Sequence, residues 1–142
     1  MRLLTQLSVA VRRWRQPLSL GERGERAAEQ YLKRLRYKIV ARGARQGRGE
    51  LDLVAVDGRT IVFVEVKTRQ SDQAGTPAEA VDLAKQEKLT RLALAYLKRH
   101  DLLEYSSRFD VVAVTWPEDT KHPTIEHIKN AFEATGRGQM FS

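Results

Sequence analysis

The sequence contains no cysteine, which excludes disulfides and thiolate metal sites and is compatible with a reducing compartment. No apolar run approaches the roughly 20 residues that a membrane-spanning helix needs. The opening MRLLTQLSVAVRRWRQ has a short apolar segment broken by Gln6 and lacks a signal-peptide cleavage pattern. These absences lead us to expect a soluble, cytoplasmic protein without stable membrane insertion. Acidic residues are scarce in the first third: residues 1–48 hold 13 of the 25 Lys and Arg but only Glu22, Glu25 and Glu29, a net of +10. The rest of the chain is −3, giving +7 overall. Such a cationic stretch suits a phosphate backbone, because each neutralised phosphate releases counterions. A solubilising face, or an amphipathic helix lying on anionic lipid, would carry the same charge.

The chain is long enough for one core: 142 residues is the size of a single domain. Residues 4–15 are a weak helix candidate within a basic extension, 1–18, and Pro17 separates them from the next element. Ser19 can cap a helix from about Leu20 to Arg36, in which Ala28, Tyr31, Leu32 and Leu35 recur at helical spacing. YKIVARGAR reads as a strand and RQGRGE as a basic loop. Pro77 fits the first turn of a second helix reaching about His100. RFDVVAVTW is a fourth strand and TIEHIKNAF a last strand or edge segment, with 134–142 as a tail. The order predicts an α/β sandwich around a mixed central sheet flanked by helices.

The stretch GELDLVAVDGRTIVFVEVKTR reads as a hairpin, since Asp-Gly between apolar runs favours a type I′ turn. With Asp57 and Gly58 as its loop, Asp52 faces Phe63 and Glu50 faces Glu65, so Asp52 and Glu65 are diagonal neighbours and Lys67 continues along their face. Val62, Val64 and Val66 then bury on the other face with Leu51, Leu53 and Ala55. Two carboxylates and an amine on one face can bind Mg²⁺ or Mn²⁺ and engage phosphate oxygens. The same residues would serve on a solvated hairpin face. However, IVFVEVK is almost continuously apolar, as expected of a strand covered on both sides, where an unpaired Glu65 is costly.

On the first helix, Glu25 lies closer to the apolar stripe than Glu22 or Glu29 and is the best third acid; it also suits a helix N-terminus. On the second helix, Lys85 falls on the stripe of Ala78, Leu89, Leu92, Ala93 and Tyr96. It must snorkel, meet an anion at the Glu65 face, or pair with Asp82. Asp110 begins an apolar strand with Arg108 as a structural partner. His100, His122 and His127 lack metal-ligand spacing and read as surface residues.

Taken together, GERGERAAEQYL, GRGELDLVAVDG, VFVEVKTR, a lysine-bearing helix and RFDVVAV before IEHIKNAF resemble the bacterial YraN family over residues 20–133. That family is similar to the PD-(D/E)XK nucleases, near archaeal Holliday-junction resolvases. The resemblance implies a restriction-endonuclease-like fold over 19–133 and a metal-dependent endonuclease acting on DNA, branched DNA included. It makes Asp52, Glu65 and Glu25 the Mg²⁺ or Mn²⁺ ligands, Glu65 and Lys67 the E-x-K pair, and Lys85 a further catalytic group where related resolvases often carry Gln. Leu51 stands where the superfamily signature has proline. Arg42, Arg45 and Arg48 would grip the DNA backbone beside the site, and the likeness to resolvases suggests a homodimer. A nucleic-acid-binding module that keeps the fold without catalysis is the alternative, and a membrane-surface adaptor using the basic arm a third.

Overall fold

The computed structural model describes residues 17–71, 73, 75–76 and 81–135. The helix candidate at 4–15, Pro77, Ala78 and the tail beyond 135 lie outside them. Helix α1 (Leu20–Arg34) is capped by Ser19, whose Oγ accepts the Glu22 N–H at 3.1 Å. Strands β1 (Lys38–Gln46), β2 (Gly49–Asp57) and β3 (Thr60–Arg69) come next, then α2 (Leu83–Arg99), β4 (Ser107–Thr115) and β5 (Thr124–Phe132). The five strands form one sheet in the order β1-β2-β3-β4-β5. Every neighbouring pair is antiparallel except β3–β4, which is parallel. A parallel pair needs a crossover, and α2 supplies it.

Both faces of the sheet are covered. Ala28 and Leu32 of α1 pack on Leu53, Ala55, Val62, Val64, Val66, Val112 and Val114. On the opposite face, Leu89, Leu92, Ala93, Tyr96 and Leu97 of α2 pack on Leu51, Val54, Phe63, Phe109 and Val111. This explains the unbroken apolar run of β3, in which Ile61 to Val64 are all buried. Each such side chain contributes about 1.5–3 kcal/mol when fully buried. Among the described residues, no helix is long and apolar enough to cross a membrane.

Three details differ from expectation, each for a local reason. The hairpin loop is Gly58-Arg59, with Asp57 paired to Thr60. Gly58 alone takes the positive φ (63°), as in turns with glycine at the first central position. The register therefore moves by two residues, which preserves the faces but puts Leu53 opposite Val64. Second, Leu51 buries with the α2 cluster, not with Val62, Val64 and Val66. Ala41 and Ala44 on β1, and Leu51 and Val54 on β2, share that cluster although each pair is three residues apart. Strict alternation thus fails around Gly43 and Asp52. Third, α2 begins at Leu83 rather than at Pro77, because Asp82 caps it: its Oδ1 accepts the Lys85 N–H at 2.9 Å.

Candidate active site

The β2–β3 ladder ends at Leu53–Val64. One step further the same register brings Asp52 opposite Glu65, a directly facing pair rather than a diagonal one. Asp52 Oδ2 accepts the backbone N–H of Val66 at 2.9 Å, so a side chain replaces the strand partner and a fork opens between β2 and β3. Lys85 enters this fork from the first turn of α2, with its Nζ 3.5 Å from Glu65 Oε2. Its backbone belongs to the Asp82 cap and its ammonium to Glu65, which separates the two partners that its position on the helix allowed. Lys67, two residues beyond Glu65 on β3, is exposed and forms no ion pair among the described residues.

The electrostatics of the fork are unbalanced. The Glu65 side chain is only 10% exposed. Burial, a hydrogen bond shared with Asp52 and repulsion from that carboxylate push Glu65 up to about 8, and Lys85 offsets only part of this. In the absence of a cation, Glu65 therefore holds a proton near neutral pH. Glu25 is also raised, by burial first and then by Asp52, Glu50 and Glu22. It stands in a groove of 520 Å³ beside Glu22, Glu29 and Arg42. Nearby, α1 crosses β3 at very short range: a Cβ on Gly24 would come 1.8 Å from Thr68 Oγ1, so the helix can approach only with glycine there.

Asp52 and Glu65 are thus brought together and Lys85 joins them, whereas Glu25 is exposed and is linked to the pair by the charge of Asp52 alone. Among the described residues, no three His, Asp or Glu side chains are gathered tightly enough to form a ready metal cage. The Asp52–Glu65 pair nonetheless fits a hard divalent cation: both are oxygen donors, and an ion that replaces the shared proton removes their repulsion. Mg²⁺ commonly engages only one or two carboxylates and keeps several waters, so two donors are sufficient.

The three arginines assigned to the DNA backbone are not equivalent. Arg42 is engaged by Glu29, Arg45 lies 4.0 Å from Glu50, and Arg48 has no carboxylate partner among the described residues. A second polar cluster contains the expected Arg108–Asp110 pair and adds partners that the sequence did not reveal. Asp110 is 0% exposed and accepts from Arg108 Nε at 2.9 Å, from His127 Nε2 at 2.8 Å and from the Asn130 N–H at 3.0 Å. Arg108 also reaches Tyr37 Oη at 2.7 Å and Asp57 at 3.0 Å. His127 is therefore a buried partner of Asp110, not a surface residue. The available signal was period two in β5, which sets His127 on the same face as Ile125.

The sequence matches the family described as Uncharacterised protein family UPF0102 over residues 24–114. It is 50% identical over 120 residues to UPF0102 protein RB9115 of Rhodopirellula baltica, covering 82% of this chain and 72% of that protein. It is 51% identical over 114 residues to UPF0102 protein GSU0650 of Geobacter sulfurreducens, covering 80% and 88%. With UPF0102 protein STH1475 of Symbiobacterium thermophilum the identity is 48% over 115 residues, covering 81% and 97%. The matched segment spans Glu25, Asp52, Glu65, Lys67, Lys85 and Asp110 and ends before His127.

Proposed function

We propose that this chain, which belongs to the UPF0102 family, is a metal-dependent endonuclease that hydrolyses phosphodiester bonds in DNA, branched or structured DNA included. The observation that carries this reading is the facing Asp52–Glu65 pair at the β2–β3 fork, with Lys85 3.5 Å from Glu65 and Lys67 exposed on the next turn of the pleat. It agrees with the motif order that resembles the YraN and PD-(D/E)XK nucleases.

In this reading Asp52 and Glu65 hold Mg²⁺ or Mn²⁺, with Glu25 acting through water from the adjoining groove. The bound ion supplies Lewis acidity at the scissile phosphate and acidifies water. The chain's own residues do the rest. The Val66 N–H fixes one oxygen of Asp52, so that carboxylate is oriented before the ligand arrives. Lys85 draws the Glu65 carboxylate towards α2 and lowers the cost of its ionisation. Lys67, free of ion pairs among the described residues, places its ammonium beside the charge that develops on phosphate oxygen. Arg48 and Arg45 meet the flanking backbone more readily than Arg42, which must first leave Glu29.

A non-catalytic DNA-binding module is the second reading, since the same fold and basic residues would serve binding without cutting. One experiment separates the two: a panel of single-stranded, duplex, flap and four-way DNA incubated with the full chain and Mg²⁺ or Mn²⁺. The nuclease reading expects cleavage that chelation stops and that Asp52→Asn and Glu65→Gln each lose while retaining DNA binding. Binding of the panel without any metal-dependent cutting would establish the module instead.

A further inference from the structure

The cations left without carboxylate partners point to a second binding feature, on the outer side of α1. A cavity of 460 Å³ lies between this helix and the β4–β5 connection. Arg23, Arg26, Gln30 and Arg34 line it from α1, and Trp116 and Lys121 from the connection. Among the described residues, none of its four Arg and Lys side chains pairs with an acid, whereas Arg42 pairs with Glu29 and Arg108 with both Asp57 and Asp110. Like charges gathered around a concavity repel one another, so the site is electrostatically incomplete until an anion enters.

The spacing of those charges selects among anions. Arg23 and Arg34, with Arg26 between them, lie 11 residues apart on the helix, roughly 16 Å at 1.5 Å per residue. One phosphate group cannot meet cations spread so far apart, but successive phosphates of a strand can. The concave shape disfavours a flat lipid surface. The indole adds a recognition element that a chain of phosphates alone would not need. Arg23 lies over the Trp116 ring, 4.0 Å from its centroid. The ring is fixed by Nε1–H donation to Thr120 O at 3.0 Å and by the Trp116 N–H to Arg69 O at 2.7 Å. The indole packs against the core with Arg23 over its ring, so this preformed stack offers the guanidinium plane to an unpaired base. Arg26 and Gln30 also line the groove that contains Glu25, so the cavity adjoins that groove.

We propose that this groove binds the single-stranded continuation of the DNA substrate: phosphates track along Arg26, Arg34 and Lys121, and an unpaired base stacks on the Arg23–Trp116 platform. The identity of the strand as substrate rests on the nuclease reading above; the binding does not.

The test uses the full chain with Trp14→Phe, which leaves Trp116 as the sole tryptophan, in a chelator so that no metal chemistry intervenes. A short oligothymidylate should quench Trp116 fluorescence saturably. Combining Arg26→Ala, Arg34→Ala and Lys121→Ala, all exposed positions, should weaken that binding at least tenfold. It should also reduce the slope of log affinity against log salt by about two, at roughly 0.7 per phosphate contact on a single strand. Unchanged affinity and slope in the triple variant would overturn the proposal. So would equal quenching by blunt duplex, by inorganic phosphate or by phosphatidylglycerol vesicles, each of which lacks a strand with unpaired bases. Single-strand binding that persists in a protein that never cuts would remove the nuclease reading and leave this groove standing. Cleavage by the wild type with the triple variant binding normally would remove the groove alone.

Discussion

Asp110 on β4 and Glu65 on β3 occupy adjoining register positions of one parallel strand pair, since Val64 pairs with Asp110 and Glu65 with Val111. They face opposite sides of the sheet. Around Asp110, burial favours the neutral acid, but hydrogen bonds from His127, Arg108 and the Asn130 N–H outweigh it and hold the carboxyl below its usual range. Around Glu65, burial and Asp52 act together and Lys85 opposes them only in part, so the carboxyl rises to about 8. A buried charge that is fully paired belongs to the architecture. One left short of positive charge is a place where a ligand can complete the balance, and such perturbed groups collect at functional sites.

The sharpest way to break this contrast is to neutralise each carboxylate in turn. Glu65→Gln should cost at least a thousandfold in single-turnover cleavage, about 4 kcal/mol in barrier, while the melting temperature stays level or rises because the amide, like the protonated carboxyl, is neutral and can donate to Asp52, and it stays neutral at every pH. Asp110→Asn should do the reverse. It leaves Arg108 with Asp57 as its one carboxylate partner and sets an amide N–H against a donor, Arg108 or His127, so urea unfolding should show a loss of about 3–5 kcal/mol, with metal affinity of the folded fraction unchanged. If both variants lost stability equally and neither lost function selectively, the distinction would fail. Lys85→Met is milder: the apolar stem remains, Glu65 keeps its proton to higher pH, and cleavage should slow about tenfold, or 1.4 kcal/mol.

The smallest effect lies in the pH dependence of stability without metal, and its sign differs between the two sites. Glu65 binds its proton more tightly folded than unfolded. Its contribution is complete below an unfolded value near 4.5 and is lost as pH rises through about 8. Asp110 is depressed, so its contribution is present above an unfolded value near 3.8 and is lost as pH falls below it. Glu65→Gln should flatten the neutral limb of a stability–pH curve, and Asp110→Asn the acid limb, each slope being at most about 1.4 kcal/mol per pH unit for one proton.

Much of the scaffold was legible in the residues themselves. Ser19 and the Ala28–Leu32 spacing located α1, and TIEHIKNAF matched β5 at both ends. Asp52, Glu65 and Lys85 were also readable as uncomfortable charges among apolar neighbours. The features that escaped depend on geometry that sequence spacing does not encode. The hairpin register turned on which residue took the positive φ, and Gly58 took it at the first loop position, leaving Asp57 in the ladder. Leu51 changed sides because the β1–β2 pair loses its alternation near Gly43 and Asp52. The His127–Asp110 bond joins residues brought together only by β4–β5 pairing, at an irregularity between Phe109 and Val111. Arg42 looked like a phosphate contact until Glu29, thirteen residues earlier, proved to be its partner.

The central claim is that Asp52 and Glu65 form a cation site whose occupant displaces a proton. Calorimetric titration of Mn²⁺ into the full chain and into Glu65→Gln tests it most directly. The account predicts saturable binding to the wild type that tightens as pH rises towards 8. It also predicts the release of about one proton near neutral pH, read from the dependence of the heat on buffer ionisation, and loss of both in Glu65→Gln. Equal binding by the two proteins, or no saturable binding by the wild type at millimolar Mn²⁺, would contradict it.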